Sequence, residues 1–379
     1  MNDREKQILK ILRRNPLIQQ HEIADILQIS RSRVAAHIMD LTRKGAIKGK
    51  GYILTEQEYC VSLGAVNMDI RGIADIHYPQ PVSNPGNIQC SAGGVARNIA
   101  HNLALLGRDV HLISAVGSDF YGETLLEQTR QAGVNVQSCI RLHGHNTATY
   151  LSIANPQEET VLAINDTHIL QSLTPQLLNQ YRDLLTHAGV VLVDCNLTEQ
   201  SLEWVFTLAN GIPVFVDTVS EFKAHRIRPW LGKIHTLKPT LRELQILWGQ
   251  AIENDADRDR ALAWLHEMGT QRVVICSEDD AVFCSEAGGE RFRMSLPDHT
   301  TIDSFGADDA LMAGLLYSYL DGSDFKESVA FAMACTAITR ASDSINNPSL
   351  SVDNALILLP GGASRAPQAR CAQPVMPGQ

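Results

Sequence analysis

The stretch Asp303-Ser304-Phe305-Gly306-Ala307-Asp308-Asp309-Ala310-Leu311-Met312-Ala313-Gly314 sets small residues and carboxylates against the start of an apolar helix. With the helix beginning near Asp309, the N–H groups of its first turn are free to face an anion, helped by the positive end of the helix dipole. A carboxylate in the same turn is able to accept a proton from a hydroxyl nucleophile. Anion hole and base together are what phosphoryl transfer to an alcohol requires. The chain has neither a Walker A loop nor a dinucleotide-binding glycine fingerprint, which removes the two commonest alternative phosphate sites.

Such a turn needs a rigid frame. From Tyr59 onward the sequence alternates apolar runs (CVSLGAV, VHLISAVG, VVLVDCN, PVFVDTV, IHTLKP, RVVICS) with amphipathic stretches such as Ala96 to Leu106, Gly122 to Ala132 and Leu241 to Trp248. The runs are short, rich in β-branched residues and largely without alternation, as strands buried on both faces are. An α/β domain with a mainly parallel sheet follows, and ligands gather at the carboxyl ends of its strands.

The first 55 residues differ. They hold eleven basic and five acidic residues, net +6, whereas the other 324 hold 21 and 37, net −16. A small basic unit ahead of a large acidic one points to an anionic partner at one end only. Helical spacing marks Arg4 to Arg14, a short helix around Ile23 to Leu27, and a third helix capped by Ser30 and ending at Lys44-Gly45. That is helix-turn-helix order, with Arg31, Ser32 and Arg33 in the turn that enters a major groove. Residues 46–54 read as a wing whose Lys48 and Lys50 meet phosphate. The segment is similar to the winged helix-turn-helix of bacterial regulators; the competing reading is a three-helix adaptor for protein contacts.

The eight cysteines are scattered and never fall as CxxC, which predicts reduced thiols rather than a disulfide frame or zinc cluster. No run is long and apolar enough for a membrane span, and the charged start MNDREKQ does not resemble a signal peptide, so a cytoplasmic protein is expected. The proline- and glycine-rich 360–379 is expected to be a disordered tail.

DSFGADDALMAGL resembles the DTxGAGDAFxAGL signature of the PfkB, or ribokinase-like, family of carbohydrate and nucleoside kinases. Asn67 and Asp69 in GAVNMD, Gly93, Gly94 and Asn98 in AGGVARNIA, and VGSD with Gly122 resemble further motifs of that family. The likeness spans about residues 60–355 and is strongest to its pseudouridine kinases. It implies a kinase domain over 59–358, after a DNA-binding domain over 1–55, with a small β lid from about residues 70–90 and 143–165. Asp309 is then the catalytic base, and Gly306, Ala307 and Asp308 form the anion hole. Asn67, Asp69, Gly93, Gly94, Asn98 and Asn165 hold the hydroxyls of a nucleoside or sugar. The implied cofactor is Mg-ATP, served by Thr240, Glu243 and Glu278, with Glu243 reaching the metal through its waters. A monovalent cation near Asp303 and a homodimer are implied as well.

The departures lie on the ATP side. The family's NxxE reads Thr240-Leu241-Arg242-Glu243, the loop Cys276 to Ala281 lacks glycines expected at 278 and 281, and Asp308 replaces the third glycine of the signature. Glu278 and Asp308 are expected to add negative charge near polyphosphate unless metal compensates. Two readings stay open: an active kinase joined to a DNA-binding module, and a kinase-derived sensor that regulates transcription with little turnover.

Overall fold

The computed structural model describes residues 3–14, 18–47, 58–76, 82–157, 159–277, 280–297, 301–302 and 305–359. They form two compact units, divided between Glu58 and Tyr59. The expected wing beyond Ile47, with Lys48 and Lys50, lies outside the described residues, as do Glu278, Asp303 and the segment 360–379.

In the first unit, helices Asp3–Arg14, Gln20–Leu27 and Arg31–Arg43 enclose Ile8, Leu12, Ile23, Val34 and Leu41. The second helix stops because Gln28 turns left-handed at φ 53°. Ser30 starts the third by accepting the Arg33 amide N–H. Lys44 Nζ lies 2.8 Å from the buried Glu5 carboxylate, tying the end of the third helix to the first.

The second unit is built on nine strands: β1 (Cys60–Leu63), β4 (Val110–Gly117), β5 (Cys139–Leu142), β8 (Val190–Asp194), β9 (Val214–Asp217), β10 (Thr236–Lys238), β11 (Arg272–Cys276), β12 (Ala281–Glu286) and β13 (Arg291–Ser295). The remaining strands, β2 (Asn67–Ala74), β3 (Gly86–Gly93), β6 (Ala148–Ala154) and β7 (Thr160–Asp166), form a separate sheet of order β3-β2-β6-β7. The large sheet runs β13-β12-β11-β10-β9-β8-β1-β4-β5. It is parallel from β11 to β5 and closes with two antiparallel strands, β12 and β13, which the apolar runs do not announce.

Strand residues alternate between two cores. Val190 and Leu192 join the helices Val95–Leu105, Ala307–Asp321 and Phe325–Arg340, while Val191 and Val193 face Leu202, Leu244 and Leu262 from the helices of the other side. Leu311, Met312, Leu315 and Leu316 are buried core, as their stripe predicts.

One helix begins earlier than expected. It starts at Ala307 rather than near Asp309 because Gly306 takes the left-handed conformation, φ 76°, at its N-cap. Both Asp308 and Asp309 therefore lie within the first turn. Gly94 performs a related task between β3 and the helix Val95–Leu105: its φ is 101°, and a Cβ there would lie 2.3 Å from the Ala65 carbonyl oxygen. Gly94→Ala is expected to cost about 1–3 kcal/mol for the backbone conformation alone, before the steric clash is counted. Urea unfolding followed by circular dichroism measures it, and a midpoint equal to wild type would contradict the packing described.

Candidate active site

The site begins with a buried carboxylate at the end of β8. Asp194 Oδ2 accepts the amide N–H of Ala65 at 2.8 Å and of Ala96 at 3.1 Å, while Oδ1 accepts that of Asn196 at 2.9 Å. These bonds hold the β1–β2 connection against the first turn of the helix Val95–Leu105. Asn67 opens β2 opposite Gly93 of β3, and its Nδ2 donates to Asp69 Oδ1. Gly93 leaves room for that carboxylate, because a Cβ at Gly93 would lie 2.3 Å from Asp69 Oδ2. Burial pushes the Asp69 carboxyl up to about 6, opposed by the Asn67 bond and by Arg97.

Asn98, one turn into its helix, donates from Nδ2 to Asp309 Oδ2 at 2.9 Å, across 211 positions of sequence. Burial raises Asp309 to about 8; Asp217 and Asp308 push the same way, while the Asn98 bond and Lys238 oppose. Asp69, Arg97, His101, Gln128, Tyr150 and Asn346 are among the residues that line an adjoining cavity of about 780 Å³, walled on one side by β2, β3 and β6. Thus Asn67, Asp69, Gly93, Gly94, Asn98 and Asp309 are brought together. Asn165 is placed apart, exposed on the edge strand β7 opposite Tyr150.

On the far side of Asp309 a second cavity, of about 900 Å³, is bounded by Val219, Phe222, Thr240, Glu243, Cys276 and Asp308, among others. Lys238 at the end of β10 is buried, with Nζ 2.9 Å from Asp217 Oδ2 and 4.0 Å from Asp308 Oδ2 of the cavity wall. Burial alone would lower this lysine, but Asp217 and Asp308 hold it well above the ordinary range. One lysine serves two carboxylates here and lies nearer Asp217, so it offsets the negative charge that Asp308 brings only in part. Thr240 and Glu243 form a capping box on the helix Leu241–Trp248. Glu243 Oε2 accepts from the Thr240 N–H at 2.8 Å and from the Thr218 hydroxyl at 2.6 Å, leaving Oε1 for a metal-bound water. That fits a magnesium ion that keeps its hydration shell.

Of the two positions where glycine is expected, 278 lies outside the described residues. Ala281 is the first residue of β12 and has no need of glycine; the left-handed backbone falls at Asp280, φ 57°. The Asp280 carboxylate pairs with Arg340 NH1. Val219, a β-branched residue at φ 65°, adjoins Asp217 and marks strain at the same cavity.

Sequence reasoning passed over Arg97, Asp194, Asp217 and Lys238. Three of them end apolar strands, in VVLVD, VFVD and TLK, and a lone charge closing a buried run is a signal that could have found them. In the first unit, Arg31, Ser32 and Arg33 occupy the exposed first turn of the third helix.

A largely parallel sheet with a detached four-stranded sheet beside an acidic helix start is the ribokinase-like α/β architecture. Ribokinase from Arabidopsis thaliana, whose structure was solved with ribose and ATP, superposes with a TM-score of 0.71 at 20% identity, over 79% of this chain and 98% of that one. A putative sugar kinase from Clostridium perfringens gives 0.70 at 26% identity, over 79% and 95%. The chain belongs to the pfkB family of carbohydrate kinases, whose model matches residues 57–351, and it carries a winged helix-turn-helix whose DNA-binding family model matches residues 1–48. It is 71% identical to an uncharacterized sugar kinase of Escherichia coli (strain K12), YeiI, over 95% of this chain and 99% of that protein. It is 41% identical to the pseudouridine kinase of the same organism, over 81% and 98%.

The buried Lys238 gives a stability prediction. Lys238→Met strands the Asp217 carboxylate, and the expected loss is about 3–5 kcal/mol in denaturant unfolding at neutral pH. A loss below about 1 kcal/mol would mean that the pair does not bear on the fold.

Proposed function

We propose that residues 59–358 form a kinase that moves the γ-phosphoryl group of ATP to a hydroxyl of a nucleoside or sugar, and that residues 1–55 bind DNA. The observation that carries this reading is the Asn98–Asp309 hydrogen bond, which holds a desolvated carboxylate at a helix start beside a cavity lined by Asp69. In the proposed scheme Asn67, Asp69, Gly93, Gly94 and Asn98 orient the acceptor. Asp309 takes the proton of the attacking hydroxyl. That oxygen bonds to the γ-phosphorus, the bond from phosphorus to the β–γ bridging oxygen breaks, and ADP leaves. The N–H groups of Gly306, Ala307 and Asp308 meet the developing negative charge, since first-turn amides have no intrahelical acceptor. Magnesium, when bound, neutralises charge on the donor phosphates. Glu243 would hold it through water, with Thr240 fixing that helix end. Pseudouridine is the first acceptor to test, given the relative that bears its name.

A second reading, a nucleoside or sugar sensor with little turnover, is favoured by the Asp280–Arg340 pair, which draws a carboxylate into the loop where donor phosphates are expected to pass.

Asp309→Asn is expected to lower phosphoryl transfer roughly 10²- to 10⁴-fold while the thermal stabilisation given by a bound nucleoside persists. Since the base must be ionised and its carboxyl sits at about 8, kcat/KM of the wild type should fall tenfold per unit below that pH. Turnover in the variant close to wild type, or a flat profile between pH 6 and 8, would overturn the assignment. Wild type stabilised by nucleosides yet inert with Mg-ATP would favour the sensor.

For the first unit, Arg31→Ala and Arg33→Ala should each weaken sequence preference on duplex DNA, and each should reduce the slope of log affinity against log salt by at most about 1. No binding by the full chain in a low-salt selection from genomic fragments would favour the adaptor reading.

A further inference from the structure

We propose that Arg97 is a positioning residue for phosphoryl transfer: its buried guanidinium fixes the Asn98 side-chain amide with Nδ2 toward Asp309 and stands as a counter-charge between Asp309 and Asp69. This rests on the kinase reading for its chemistry, though not for its geometry.

The geometry leaves little freedom. Arg97 is 2% exposed, and its Nε and NH2 both donate to Asn98 Oδ1, at 3.1 and 2.8 Å. A guanidinium only donates, so the amide oxygen must face it and the amide nitrogen must face away. That nitrogen is the one that donates to Asp309 Oδ2. Without Arg97 the amide is free to flip and set oxygen against carboxylate, a repulsive pairing. NH2 also donates to Asn346 Oδ1, while Asn346 Nδ2 donates to the Asn98 carbonyl at 3.0 Å and to Asn102 Oδ1 at 2.8 Å. Asn346 is thereby locked as well, and the loop that carries it braces the guanidinium from outside.

The charges around Asp309 come from several elements. Asp217 at the end of β9 and Asp308 in its own first turn are negative, while Lys238 at the end of β10 is largely engaged by Asp217. Burial lowers Arg97 to about 10 and Asp309 and Asp69 draw it back up, so it is a cation at neutral pH. His101 beside it is pushed down to about 4 by burial and by Arg97, and is neutral there. Arg97 is thus the positive group that both Asp309 and Asp69 feel from the acceptor side.

The competing role is a staple that merely joins the helix Val95–Leu105 to the Asn346 loop. The full chain labelled with ¹³C at aspartate carboxyls separates the two, with Asp309→Asn assigning the resonance. In Arg97→Met the Asp309 resonance is expected to titrate roughly 1–3 pH units higher than in wild type. The acid limb of kcat/KM for pseudouridine should move with it, lowering the value at pH 7 at least about tenfold. Arg97→Lys keeps the charge and loses the two-pronged hold on Asn98; its titration should stay near wild type while kcat falls at least about tenfold. A lower melting temperature with the Asp309 titration unmoved in Arg97→Met overturns the proposal. If Arg97→Met does not fold, Arg97→Lys decides, and an unchanged kcat there overturns it. Wild type without transfer to any acceptor, combined with a shifted titration in Arg97→Met, would sink the kinase reading alone and leave the positioning of Asp309 supported.

Discussion

The Asp194 carboxylate is the constraint on which the site depends. It is fully buried, and burial raises its pKa against the pull of several N–H donors. Its burial is tolerated because backbone amides from the β1–β2 connection, the Val95–Leu105 helix and its own loop converge on its two oxygens. Removing those bonds would free the strand that carries Asn67 and Asp69 from the helix that carries Arg97 and Asn98. Everything on the acceptor side is thus referenced to the end of one central strand, in the position where parallel sheets present their ligands.

The donor side is organised by a different principle. Asp217, Lys238 and Asp308 form a charge sequence at the ends of β9, β10 and the start of the helix Ala307–Asp321, with the lysine inside. Its cost of desolvation is offset by two carboxylates rather than one. Asp308, an anomaly when the signature is read alone, is therefore one of three members of an arrangement whose others lie 70 and 91 positions earlier. Thr218 and Glu243 extend the same arrangement by hydrogen bonding, so the helix cap and the cavity wall share atoms.

Much of this was legible before any coordinates. The six apolar runs became β1, β4, β8, β9, β10 and β11, and Ser30 capped its helix as its residue type predicts. The signature stretch also drew attention to Asp309. What escaped was of two kinds. The outermost strand, β13, is half exposed and alternating, and β12 beside it mixes apolar residues with Ser285 and Glu286, so neither has the continuous apolar texture of the centre. Arg97 and Lys238 are single charged residues in ordinary sequence, and their meaning arises only where distant segments converge. The left-handed backbone at Asp280 carries no sequence signal of its own, because an aspartate, able to adopt it, stands where a glycine would have announced it.

The span between Asn98 and Asp309 also has a temporal consequence. A ribosome releases the chain from its amino end at several residues per second, so the tri-helical unit has its whole core available once residue 47 has emerged. Asn98 must then wait for another 211 residues before its carboxylate partner exists, and for longer until the helix Phe325–Arg340 can cover it. During that interval β1, β4 and β8 can pair, but one face of their sheet lacks the helices that complete its apolar cover. Synthesis thus makes the residues of the helix-turn-helix core available well before those that cover the larger sheet, and apolar surface left open in that interval is where a large α/β domain is prone to aggregate.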